Sequence, residues 1–317
     1  MNRLEGLAEK PSWITHMGCH LGCTDYLGLG LSRAWVFGGT SHAFAINVHE
    51  QLCPSGPTAW KTDVVDRLAP NLGYLVDGVS GAHKSHSDFA ARQSIAWALV
   101  RGCIDTGVPC YGWELIIPEW YVINGYDDVG YYFSGPTAEH GPQPKPWQEL
   151  ADTGIGWLSV QCVLACEAAD DDVVVREALT AALQHAAGEY SHEDYATGPE
   201  AFEVWAEALA SGRADRFGAG YNGACWLECR EMAVAFLDEA KQRLPGRADA
   251  LFDEAIEHYG AVHQALRAAV ERVPFQNPAD AEEGATVQDA QSADLLRQAG
   301  AAEMRGLDAL ERLVDEL

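Results

Sequence analysis

Thiols are the most reactive groups in this chain, and Cys19 has the setting most suggestive of chemistry. It lies in Gly18-Cys19-His20, at the start of a short helical stretch over Gly18–Gly28. A cysteine attacks as the thiolate, which needs a base or a cation beside it. His20 is adjacent but points elsewhere on a helix, His16 precedes the helix, and His42 and His49 follow some twenty to thirty residues on. Cys19 and Cys23, Cys162 and Cys166, and Cys225 and Cys229 are each four apart, which puts each pair on one face of a helix. Two such pairs would make a four-thiolate zinc set, but structural zinc sites use shorter spacings on loops. Small thiols packed in a core account for the spacing equally well. His42, His49 and Glu50 are a further polar set without a recognisable third metal ligand. The expectation is therefore no metal and no cofactor.

Carboxylates offer the second chemistry. Glu114 and Glu119 sit in the apolar run WELIIPEW, where an ionised side chain is costly unless it is paired. Two readings stay open: an edge strand with both carboxylates in water, or a pocket that holds a ligand amine or hydroxyls. Asp127 and Asp128 follow Gly125-Tyr126 and suit the cap of a hairpin turn. With Glu114, Glu119 and His42, Asp127 completes the expected ligand-contacting set.

These residues need elements to position them. Cys110–Trp113 leads into Leu115-Ile116-Ile117, and Trp120–Asn124 and Gly130–Phe133 read as a β-hairpin around Gly125–Asp128. His42, Phe44, Ile46 and Val48 alternate onto one face of an extended segment. Phe89–Gly102 reads as a helix burying Ile95, Ala98 and Leu99. After residue 150 the apolar period becomes helical: 174–188, 200–209 with Phe202, Trp205 and Leu209, 225–244 with Trp226, Cys229 and Phe236, then 248–271 and 291–316 around the loop Pro274–Gly284. Ser134–Pro146, rich in Gly and Pro, is the natural connector. The fold class expected is α+β, with a mixed domain over 1–145 and an all-helical domain over 146–317.

At 317 residues the chain is long enough for two such domains. Its 21 basic and 47 acidic residues give a net charge of −26. A field of that sign repels phosphate backbones and anionic lipid, so neither nucleic acid nor membrane is an expected partner. The acidity is concentrated: residues 1–150 hold 9 basic and 15 acidic side chains, residues 151–317 hold 12 and 32. No 18-residue apolar run and no apolar N-terminal stretch occur. Nine cysteines, an odd number, read as thiols of a reducing cytoplasm. GLGLG at 28–32 lacks the spacing of a dinucleotide fingerprint. Apolar stripes on antiparallel helices make a homodimer the expected assembly.

The order of these motifs resembles the papain-like fold as used by bacteriocin-leader peptidases and by the butirosin-biosynthesis protein H family. The resembling segments are Gly18-Cys19-His20, Leu31-Ser32 with Val36–Gly39, Ala43-Phe44, Gly107-Val108-Pro109 and Val122–Asp128. The helical half is similar to the butirosin-type family through Asn222, Trp226, Arg230, Ala233 and Phe236-Leu237. The resemblance implies a papain-like domain followed by a helical one, with Cys19 as nucleophile. It also implies a histidine where this chain has Glu119 and an Asp-Pro where it has Gly135-Pro136. A carboxylate beside a thiol raises its pKa, the reverse of what catalysis needs. Two functions follow as expectations: a small-molecule or peptide binder with a degenerate triad, or a cysteine-dependent acyltransferase or amidohydrolase using Cys19.

Overall fold

The structure is a computed structural model that describes residues 1–277, 282 and 284–317. In chain order it begins with β1 (Asn2–Arg3), α1 (Thr15–Tyr26), α2 (Arg33–Gly39), β2 (Asn47–His49) and α3 (Asp63–Leu68). Next come β3 (Tyr74–His83), α4 (Phe89–Asp105), β4 (Cys110–Trp113), β5 (Trp120–Tyr126), β6 (Gly130–Ser134), β7 (Lys145–Pro146) and β8 (Trp157–Ala165). The remainder is α5 (Asp171–Ala186), β9 (Tyr195–Thr197), α6 (Gly198–Ser211), β10 (Ala214–Asp215), α7 (Arg216–Arg243), α8 (Asp249–Arg272), β11 (Thr286–Val287) and α9 (Ala290–Glu316). The class is α+β.

The chain divides into two compact units, Met1–Ser32 with Gly73–Ala168, and Arg33–Leu72 with Ala169–Leu317. This differs from the expected break at 145/146 in two ways. Strands β7 and β8 lie beyond or across that break, yet both belong to the sheet of the first unit. Residues 33–72 belong with the helices that follow 169 rather than with the sheet. The Pro/Gly-rich stretch 134–146 is thus a connection within one sheet. Composition marks turns, but which strands hydrogen-bond is a long-range matter. Part of the loop expected over Pro274–Gly284 lies outside the described residues.

The first unit is built on an antiparallel sheet in the order β3-β8-β4-β5-β6-β7, with β1 pairing the end of β5. β5 is buried at every residue after Trp120, and both α1 and α4 pack on it. The hairpin β5–β6 forms as expected, with Tyr126 facing Tyr131 across the turn. Leu115-Ile116-Ile117 is not a strand; it lies in the connection from β4 to β5. Helix α4 buries Gln93, Ala96, Val100 and Ile104, whereas Ile95 and Ala98 are exposed. The buried stripe is offset because Gln93 donates through Nε2 to the carbonyls of Gln148 (2.8 Å) and Leu150 (2.7 Å). A polar residue with two such partners goes inside, and an isoleucine turns out.

The second unit packs α5 to α9 with α2, α3 and two short strand pairs, β2–β9 and β10–β11. The helices expected from periodicity are present, most within three residues of the bounds read, while α7 begins nine residues earlier, at Arg216. Along α7 the residues Asn222, Trp226, Arg230, Ala233 and Leu237 are all fully buried, at steps of three and four. Trp226 donates to Asn222 Oδ1 (3.2 Å), and Asn222 donates to the carbonyls of Cys53 (3.0 Å) and Gly218 (2.8 Å). Arg230 is the centre of this row. Its Nε and Nη2 donate to both oxygens of Glu303 on α9, at 2.9 and 2.8 Å. Nη1 donates to the carbonyls of Ala43 (3.2 Å) and Ala45 (2.8 Å). One guanidinium therefore joins α7, α9 and the segment before β2.

A bidentate pair of this kind is costly to desolvate but far more costly to break singly. Arg230→Met alone should destabilise the protein by about 3–5 kcal/mol. The double variant Arg230→Met with Glu303→Leu should recover a large part of that loss, as read from denaturation midpoints.

Candidate functional site

Cys19 lies on α1, a helix whose residues from Thr15 to Thr24 are all buried. Such burial is unlike the one-sided pattern of a surface helix. The segment Ala8–Lys10 crosses α1 where Gly18 and Gly22 leave room. A Cβ at Gly22 would sit 2.2 Å from the Ala8 carbonyl oxygen, and the Lys10 amide donates to the Gly18 carbonyl (3.1 Å). The Cys19 sulfur is thus sealed inside the unit. No imidazole lies within hydrogen-bond reach of it among the described residues. Burial pushes the Cys19 thiol well above its ordinary range, and the neighbouring Cys23, Glu9 and Glu119 push in the same direction. The thiolate that nucleophilic attack requires is disfavoured by every one of these surroundings.

Glu114 and Glu119 flank the connection from β4 to β5, and both are buried, 4% and 9% exposed. The reading of an edge strand with carboxylates in water is therefore excluded. The connection is closed at its base by the Glu114 amide donating to the Glu119 carbonyl (2.8 Å). Thr15 donates its hydroxyl to Glu119 Oε2 and accepts from the Trp120 amide (3.1 Å), which ties this turn to the start of α1. Glu114 has φ of 60°, a left-handed conformation that costs a non-glycine residue roughly 1–2 kcal/mol. Its Oε2 is buried and has no hydrogen-bond partner among the described residues.

The other two expected site residues lie elsewhere. Asp127 caps the β5–β6 turn: Oδ1 accepts from the amides of Val129 (2.8 Å) and Gly130 (3.2 Å), and Oδ2 from the Tyr132 hydroxyl (2.8 Å). The Val129 amide and then Tyr132 hold its carboxyl below the usual range. Both oxygens serve the turn. His42 belongs to the second unit, in a short 3-10 turn before β2 rather than on an extended strand. Its ring lies against Trp60 (5.2 Å between centroids), with Nδ1 3.8 Å from the Cys229 sulfur. Of the cysteine pairs, 19/23 and 225/229 do share a helix, while Cys162 is in β8 and Cys166 just beyond it.

Sequence reasoning missed a polar cluster on α1. His16 is not ahead of the helix but its second residue, so His16 and His20 share one face. Their Nε2 atoms are 3.2 Å apart, and the Tyr111 hydroxyl is 3.1 Å from His20 Nε2 and 3.4 Å from His16 Nε2. Tyr74 lies 2.9 Å from His20 Nδ1, and Trp120 stacks on the His16 ring at 4.6 Å. The available signal was the spacing of four, obscured because the helix start was placed two residues too late to include His16. Comparison with known proteins finds no family model and no curated relative that matches the chain.

In the second unit, burial holds both His42 and His185 down to about 4. Both are neutral in the native state, whereas the unfolded chain protonates them below about pH 6.5. The unfolded state then binds more protons, so this contribution is complete above pH 6.5 and is lost as pH falls toward 4. The expected loss is up to about 3 kcal/mol per histidine across that window. Denaturation midpoints measured between pH 7 and pH 4 should show a shallower slope in His42→Phe than in the parent chain.

Proposed function

We propose that the first unit is a binding domain on a papain-like scaffold, which holds the cationic end of a small molecule or peptide at Glu114. Cys19 in this reading is a core thiol. The observation that carries it is the Glu114 carboxylate: buried, on left-handed backbone, with one oxygen that no described residue satisfies. Strain and an unmet acceptor together are the pattern of a residue kept for a ligand rather than for folding. An ammonium or guanidinium group supplies the missing donor and the opposite charge. Glu119, held by Thr15 at the other end of the same turn, adds negative potential beside it.

The scaffold part of the proposal rests on α1 carrying a cysteine near its start and packing on β5 of an antiparallel sheet. Acyl transfer through Cys19 is the weaker reading, because its thiol lacks a base and has carboxylates for neighbours. A cytoplasmic location and a homodimer remain parts of the proposal. In support of a non-membrane protein, no helix among the described residues is long and apolar enough to cross a membrane.

The test is a panel of primary amines and of lysine- or arginine-ended peptides, read by thermal shift and calorimetry on the full chain. A charge-assisted bond is worth about 1.5–3 kcal/mol, so Glu114→Gln should weaken a hit by about ten- to hundredfold. Cys19→Ala should leave affinity nearly unchanged, and iodoacetamide should label Cys19 slowly at neutral pH. Rapid, selective labelling of Cys19 at pH 6 would overturn the reading in favour of the enzyme.

A further inference from the structure

The triangle made by His16, His20 and Tyr111 has a use that neither packing nor the Glu114 site requires. Its edges are 3.1, 3.2 and 3.4 Å. A tetrahedral ion bound at 2.0–2.1 Å holds its ligand atoms about 3.3 Å apart, so the three donors already stand at the separation of one coordination face. We infer that the first unit binds a divalent transition-metal ion of the zinc class through His16 Nε2, His20 Nε2 and the Tyr111 oxygen.

The contacts around the triangle are those a metal site uses. The Tyr74 hydroxyl, 2.9 Å from His20 Nδ1, is placed to accept that nitrogen's proton and leave the Nε2 lone pair for the ion, and Trp120 stacks on the ring of His16.

All four polar side chains are buried, with His16 the most exposed at 5%. Water competes poorly for an ion held in such surroundings. Two imidazoles and one phenol oxygen suit zinc, cobalt, nickel, copper or iron and are a poor set for magnesium or calcium. On binding, the ion takes two imidazole lone pairs and replaces the Tyr111 hydroxyl proton, which passes to solvent as the metal–phenolate bond forms. No electron is transferred. The ion is distinct from the four-thiolate arrangement weighed from sequence, since no cysteine contributes to it. The inference does not depend on the reading of Glu114.

The full chain, expressed with zinc present and dialysed against metal-free buffer, should retain about one equivalent of zinc by elemental analysis. Chelator-stripped protein titrated with Co2+ should show the visible absorption of a tetrahedral or five-coordinate site. His20→Ala should abolish both signals. Because that variant can fail to fold, Tyr74→Phe and Tyr111→Phe are the conservative tests. Tyr74→Phe should lower zinc affinity by about ten- to hundredfold, as loss of an outer hydrogen bond does elsewhere. Tyr111→Phe should change the Co2+ spectrum, since it removes a direct ligand. His192→Ala, at an exposed histidine, should change neither. No retained metal and no Co2+ absorption in the folded parent chain would overturn the inference. So would metal uptake that is identical in the parent chain, Tyr74→Phe and Tyr111→Phe.

Discussion

Every residue of α1 from Thr15 to Thr24 is out of water, and a helix so placed must settle each polar group it carries inside the protein. The first unit can be understood from that constraint. Thr15 is tied to Glu119 and to the Trp120 amide, and Thr24 returns its hydroxyl to the His20 carbonyl (2.8 Å). His16 and His20 meet Tyr111 and Tyr74. Gly18 and Gly22 exist because the segment Ala8–Lys10 passes too close for a Cβ. The same enclosure takes Cys19 away from solvent, and no imidazole among the described residues lies within hydrogen-bond reach of it. The resemblance implies a nucleophile at this position, while its surroundings are those of a buried core thiol.

Burial has a second consequence on the two carboxylates. Glu119 is satisfied by its neighbours and serves to join the β4–β5 connection to α1. Glu114 is held on unfavourable backbone with an unmet acceptor. An apolar residue of similar size would remove the unmet acceptor but not the backbone cost, and in the proposed function a cationic ligand supplies the missing donor. This contrast between two glutamates five residues apart is what supports the proposed ligand role of Glu114.

The second unit depends on a different interaction. Arg230 and Glu303 are a fully buried ion pair, completed by the carbonyls of Ala43 and Ala45. The carbonyls matter as much as the carboxylate, because a guanidinium with idle donors in a dry core would be strongly destabilising. The pair also explains why residues 33–72, far earlier in the chain, belong with the helices that follow residue 169. His42 shares that interior, held neutral between Trp60, Cys229 and His185. It contributes to the stability of the helical unit and is no part of the Glu114 arrangement.

Local sequence pattern determined much here: the existence of α5 to α9, the hairpin β5–β6, and the buried stripe of α7 through Trp226, Cys229 and Phe236. Each depends on residues a few positions apart, where side chains of one face recur at fixed spacing. Asp127 as a turn cap was legible for the same reason, since an aspartate bonds amides two and three residues ahead. The tertiary structure decided the rest. It placed β7 and β8 in the first sheet, turned Ile95 outward in favour of Gln93, and buried both glutamates instead of leaving them at an edge. It also brought Tyr74 and Tyr111, about 50 and 90 residues downstream, to the two histidines of α1. These outcomes depend on which distant segments meet and on which polar groups find partners there, and no local spacing encodes either.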